Sequence, residues 1–165
     1  MAAKAIVRAS PDAEAERIAR HWHEAVPNDR LAHLVKDASR AFVRALQAQL
    51  AHHGVPFGHW TFLRILWEVD GLTQRELSAE AGVMEPTTHV ALNAMERLGY
   101  IRRRRSPANR RNVYVHLTPK GRALKAKLVP LAEEVNEVGI RGISVADVAT
   151  VRRVLIAIID NLAKR

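Results

Sequence analysis

The 165-residue chain has no cysteine. That excludes a disulfide scaffold, a thiolate nucleophile, a cysteine redox switch and any cysteine-ligated zinc, and it fits a reducing compartment. Long apolar runs are also missing. The longest, Val154 to Ile159, is six residues and far too short to span a bilayer. Lys4 and Arg8 near the start are followed by Asp12, Glu14 and Glu16, where a secretory signal would need an apolar core. These features predict a soluble cytoplasmic protein. No nucleophile elbow, phosphate-binding glycine loop or pair of catalytic carboxylates is visible. Of the eight histidines, His21 and His23 diverge on a helix and His52 and His53 are adjacent. Neither an enzyme, nor a cofactor, nor a metal site is expected.

The most informative absence is that of acid in one window. Residues 97–127 hold eleven Lys/Arg and no Asp or Glu, so against a net charge of +9 the rest of the chain carries −2. Charge this concentrated asks for a polyanion, nucleic acid or an anionic surface, where an ordinary solvated loop would carry counter-charges.

What is present is clearly punctuated, with an apolar content of 48%, enough for a core. Ser10-Pro11 opens a first helix that carries Ile18 and Trp22 on one face and stops at Pro27. A longer helix runs from Asp29 to about His53, with Leu31, Leu34, Val35, Ala38, Phe42, Ala45 and Leu46 at helical spacing. Phe57 to Asp70 is a third helix, stopped by Gly71. Thr73-x-x-Glu76 is a capping box that opens TQRELSAEAG. After Gly82 and a short turn, Pro86 starts EPTTHVALNAMERL, closed by Gly99. Two short helices across a tight glycine turn make a helix-turn-helix.

Tyr100–Arg105 and Asn112–Leu117 then alternate with period two around Ser106-Pro107-Ala108-Asn109, predicting a β-hairpin whose arginines, Tyr114 and His116 lie outward or at an edge. A helix-turn-helix followed by a basic hairpin is a winged helix. Thr118 and Pro119 open a long helix with Leu124, Leu128, Leu131, Val135 and Val138 on one stripe. Ser144-x-x-Asp147 opens a last helix with Val148, Val151, Leu155, Ile158, Ile159 and Leu162. The expected fold is therefore mainly α with a small β-hairpin wing: a winged helix-turn-helix DNA-binding domain at 57–117, a helical dimerisation bundle from 31–56 and 118–165, and an N-terminal extension helix in 1–30.

On the predicted recognition helix, Thr87, Thr88, His89 and Asn93 are the polar residues expected on the exposed side, for base edges or phosphates. Thr73, Gln74 and Arg75 suit a phosphate at the preceding helix N-terminus. Arg104, Arg105, Asn109, Arg110 and Arg111 belong to the wing, with Arg110 and Arg111 at its tip suited to the minor groove or its phosphates; some of Arg102 to Arg105 could instead pair with Glu96. Arg64 lies about 40° from Trp60 on the helical wheel, on the stripe of Leu63 and Trp67. It either snorkels to Asp37 or Glu68, or lines a pocket for a small aromatic acid, which His33, Arg40 and His59 could complete.

With GLTQRELSAEAGV (71–83), MERLGYI (95–101), the RRN of the wing and VHLTPKGRAL (115–124) in this order, the chain resembles the MarR (multiple antibiotic resistance regulator) family of winged-helix repressors from about Leu31 to Leu162. The resemblance implies a homodimer joined through both chain ends, a near-palindromic double-stranded DNA operator, and release by phenolic or aromatic-acid ligands. It also marks departures. Where many members carry a Ser/Thr-Arg pair and then Asp-Arg on the recognition helix, this chain has His89-Val90 and Asn93-Ala94, and Asn109 stands where the wing usually has an acid. Rival readings of the basic face are a ligand-independent architectural DNA-binding protein and a module for an acidic protein partner.

Overall fold

Helical periodicity and glycine stops shape most of the chain, which we describe from a computed structural model for residues 11–24, 30–105 and 112–164. The Ser10 cap, Pro27, Asp29 and the wing turn with Asn109, Arg110 and Arg111 lie outside the described residues. In chain order the elements are α1 (Pro11–His23), α2 (Leu31–Ala51), α3 (Phe57–Glu68), β1 (Leu72–Thr73), α4 (Gln74–Ala81), α5 (Glu85–Arg97), β2 (Ile101–Arg105), β3 (Val113–Leu117), α6 (Pro119–Ala123), α7 (Lys125–Gly139) and α8 (Val145–Ala163).

The core sits where the winged domain meets the long helices. Phe62, Leu63 and Leu66 of α3 are buried with Leu77 of α4, Leu92 and Met95 of α5, and Ile101, Val115 and Leu117 of the strands. Leu46 and Leu50 of α2 and Leu128 and Val135 of α7 join the same cluster, tying the bundle to the winged domain. On the outer side of α2, α1 is held by the Trp22 indole N–H donating to Asp37 at 3.1 Å and by an Arg44–Glu14 ion pair at 3.7 Å.

The hairpin is part of a three-stranded antiparallel sheet in the order β1-β3-β2. β1 is a two-residue strand that the sequence pattern does not announce; Leu72 and Thr73 pair with Val115 and Tyr114. Across β2 and β3, Ile101 faces Leu117, Arg103 faces Val115 and Arg105 faces Val113. Ile101, Val115 and Leu117 are buried. Arg103 therefore stands on the inner, helix-facing side, against the outward or edge placement of the wing arginines and in line with the alternative that some of Arg102 to Arg105 pair with Glu96.

The long helix expected from Pro119 is interrupted at Leu124, between α6 and α7. The Trp67 indole N–H donates to the Gly121 carbonyl at 3.0 Å. A continuous helix would offer that acceptor to the Lys125 amide. The Leu124 carbonyl receives the Lys127 amide at 3.0 Å, a tighter 3₁₀-type bond, beside the ordinary α-helical one from Leu128 at 2.9 Å. Gly121 is required here because a Cβ would collide with the Tyr100 carbonyl.

α8 is the outlier. Ser144 caps it, accepting from the Asp147 amide at 3.1 Å, yet none of its residues is buried. Val151, Leu155, Ile156, Ile159 and Leu162 are all exposed. With Leu31, Leu34, Val35 and Phe42 of α2, this helix lines an almost wholly apolar cleft of about 720 Å³.

Candidate nucleic-acid interface

The helix-turn-helix is α4 and α5. The capping box at its start is fully formed: the Thr73 amide and hydroxyl donate to Glu76 Oε2 at 2.7 and 2.8 Å, and the Glu76 amide returns to the Thr73 hydroxyl at 3.3 Å. Those bonds hold the Glu76 carboxyl below the usual carboxylate range. Thr73 is thus spent on the cap. The cations and donors left beside it are Arg75, which is exposed and has no ion pair among the described residues, and Gln74. Both line a cleft of about 700 Å³ that also takes in Asn112 and Val113 at the foot of β3. Asn112 was not expected there; its place next to α4 follows from the β1–β3 pairing, which has no local signature.

α4 ends at Gly82, in the left-handed conformation at φ +63°, and this turn sets the angle at which α5 leaves. Thr88 corrects the sequence reading. It is completely buried, and Ser78 Oγ donates to its hydroxyl at 2.8 Å. It clamps α4 to α5 and presents nothing to solvent. Thr87 and His89 are exposed as expected, and Asn93 is half-buried. Two exposed apolar residues share this surface, Met84 at 77% and Val90 at 69%, apolar groups of the kind that can touch thymine methyls.

The wing strand splits its arginines by face. Arg102, Arg104 and Arg105 are exposed. Arg103 is held instead: its amide donates to Glu96 Oε1 at 3.0 Å, its Nε is 3.8 Å from Glu96 Oε2, and its Nη2 donates to Asn93 Oδ1 at 2.8 Å. The pairing is the one the sequence left open between Glu96 and some of Arg102 to Arg105, and period-two alternation from Ile101 already places Arg103 inward.

The five residues nominated for a small ligand do not form one site. Trp60 and Arg64 lie together in a cleft of about 460 Å³ between α3 and α7, with Trp67 in its wall and Lys125 and Asn136 opposite. The two indoles meet edge to face at 5.7 Å. His59 is buried in the same helix, with Nδ1 lacking a hydrogen-bond partner, and desolvation pushes its pKa below the ordinary value. His33 is exposed on α2, and Arg40 lines a separate cleft between α1 and α2, 4.0 Å from Asp37. Arg64 takes neither carboxylate weighed for it. Asp37 is engaged by Trp22 and Arg40, Glu68 is 3.5 Å from Lys125, and among the described residues Arg64 has no ion pair.

Comparison with known proteins agrees with this geometry. Residues 53–112 match the family model described as MarR family. The crystal structure of transcriptional regulator PA3341 is 32% identical, covers 82% of this chain and all of that one, and superposes with a TM-score of 0.74. The chain belongs to the MarR family. It is also similar to the HTH-type transcriptional regulator TtmR of Methylorubrum extorquens, at 34% identity over 82% of this chain and 65% of TtmR, so it spans just under two thirds of that relative's length. At fold level it resembles Bordetella bronchiseptica BpsR (21% identity, 82% of this chain and 97% of that one, TM-score 0.73), whose DNA binding is described as regulated by 6-hydroxynicotinic acid. The named relatives of this MarR-family chain are regulators of transcription rather than enzymes. Among the described residues, no helix is long and apolar enough to cross a membrane, and no three His, Cys, Asp or Glu cluster as metal ligands.

Proposed function

We propose that this chain is a sequence-specific repressor that binds a palindromic DNA operator as a homodimer and is released by a small aromatic acid. The observation that carries the DNA reading is the shared surface of α5 and the wing. Thr87, His89 and Asn93 lie on the recognition helix, and Gln74, Arg75, Arg104 and Arg105 flank it as groups for phosphates. The polar, non-basic face of α5 favours base reading over the uniform coating of an architectural protein. Asn109, Arg110 and Arg111 extend the proposed contact through the wing tip.

The homodimer reading rests on α8. A helix with an apolar stripe and no buried residue gains nothing by folding alone. A second copy laid on the α2–α8 cleft would cover it and set two recognition helices about 34–36 Å apart, one turn of B-DNA. The ligand reading rests on Arg64, a guanidinium with no ion pair among the described residues, beside two tryptophans. A planar aromatic carboxylate would stack on the indoles and pair with the guanidinium. His33 and Arg40 have no place in that cleft within one chain.

Selection of bound sequences from a random duplex pool tests the reading. The expected result is an inverted repeat with half-sites one helical turn apart and a steep loss of affinity with salt. Recovery of no preferred sequence would leave the architectural reading standing. Titration of aromatic acids, followed by tryptophan fluorescence and operator release, tests the ligand. No response across a broad panel would remove it.

A further inference from the structure

Arg103 carries hydrogen-bond donors only, and that property propagates across the recognition surface. Because its Nη2 donates to Asn93 at 2.8 Å, the Asn93 atom facing it is the oxygen. The other end of the amide, Nδ2, must then be the donor that lies 2.9 Å from His89 Nε2. His89 Nε2 therefore has no proton; the proton is on Nδ1, which donates to Gln74 Oε1 at 3.3 Å. Glu96 holds the start of the chain in place by accepting from the Arg103 amide and by its charge, 3.8 Å from Nε, which is buried without a hydrogen-bond partner. One directed relay thus runs from β2 through α5 to the first residue of α4, the three elements of the proposed reading face.

The relay decides what this face can offer to DNA. Both ring nitrogens of His89 are occupied, so it presents only C–H edges. Asn93 keeps one N–H and one oxygen lone pair, while Gln74 keeps both protons of its Nε2. Without Arg103 the Asn93 amide could turn over and His89 could change tautomer, and each change would present a different donor–acceptor pattern to the same base pairs. Such patterns are what distinguish base pairs in the major groove.

We propose that Glu96 and Arg103 are positioning residues for operator choice, fixing Gln74, His89 and Asn93 as one pre-oriented reader without touching the bases themselves. The inference rests on the operator reading above. Its test is to repeat the duplex selection with full-length Glu96→Gln and Arg103→Lys and to measure affinity for the selected operator and for random duplex.

Glu96→Gln removes a negative charge, so a purely electrostatic role predicts equal or tighter binding with unchanged preference. The relay predicts that random-duplex affinity holds or rises while the operator-to-random ratio falls about 10-fold, with one or two positions per half-site becoming degenerate. Arg103→Lys keeps the charge but loses the planar fork that reaches Glu96 and Asn93 together, and should relax the same positions. In an Asn93→Ala background, Glu96→Gln should change those positions no further. Unchanged preference in both variants, or an additive effect on top of Asn93→Ala, would overturn the proposal. A thermal shift without a change in preference would reduce the relay to scaffolding. If the unaltered protein selects no sequence, the operator reading itself fails and this inference goes with it.

Discussion

The two ends of the core differ in how they satisfy their apolar side chains. From α3 to β3, Leu63, Leu77, Leu92, Met95 and Val115 are each at most 1% exposed within one chain. In α8, of the same composition class, Ile159 is 65% exposed and Leu162 61%. At about 25 cal/mol per Å² of apolar area removed from water, helices of this kind contribute little until covered. A complete winged domain and an incomplete α8 in one chain mean that stability should come in two parts, one independent of protein concentration and one dependent on it.

The largest effect should come from making α8 unable to be covered. The double substitution Leu155→Asp and Ile159→Asp should give a monomer in sedimentation equilibrium. Operator affinity should fall roughly 100-fold because two half-sites are no longer linked. The unaltered protein should show a melting temperature that rises with concentration, and the variant should not. A dimeric variant would show that α8 is not the joint.

Leu92→Ala breaks the other side of the comparison. Leu92 is fully buried, and its truncation should cost about 2–5 kcal/mol by denaturant titration. The loss should be the same at low and high protein concentration. Thr88→Val should cost about 1 kcal/mol, since it removes the Ser78–Thr88 bond between the two helices of the motif. Its effect on operator preference should be nil, which separates Thr88 from its exposed neighbour Thr87.

The smallest effect is on pH dependence. The fold holds His59 neutral where the unfolded chain would bind a proton. Its contribution is present in full above the ordinary imidazole range and is lost as pH falls through that range. His59→Phe should flatten the stability profile between about pH 7 and pH 5 relative to the parent. An unchanged slope would assign the profile to other groups.

Local rules were legible in the amino-acid order. The Thr73–Glu76 box, the glycine stop at Gly82, the paired strands and the Ser144 cap all depend on residues within a few positions of one another. What was hidden depends on partners far along the chain. β1 is two residues long and exists only because Val115 and Tyr114 lie opposite. Thr88 is buried because α4 crosses α5 at an angle that helical periodicity does not encode. The Trp67 indole that takes the Gly121 carbonyl just before the split at Leu124 lies 54 positions from that acceptor. Arg103 is intermediate: a pairing of one of Arg102 to Arg105 with Glu96 was readable, and period-two register points to Arg103 as that one, but the bond to Asn93 was not.

The junction between α6 and α7 lies where the wing hands the chain over to the long helices. α6 is seated on the Tyr100 carbonyl through Gly121, directly after β3. α7 packs on α2 and leads to α8, while its Leu128 stays in the shared core. Leu124, itself in the right-handed helical conformation at φ −63° and ψ −26°, is the single residue between the two helices. The indole that donates to α6 at Gly121, just before that junction, belongs to Trp67, which also walls the aromatic cleft. A molecule in the proposed cleft would thus rest on the same ring that is tied, through Gly121, to the Tyr100 carbonyl at the root of the wing.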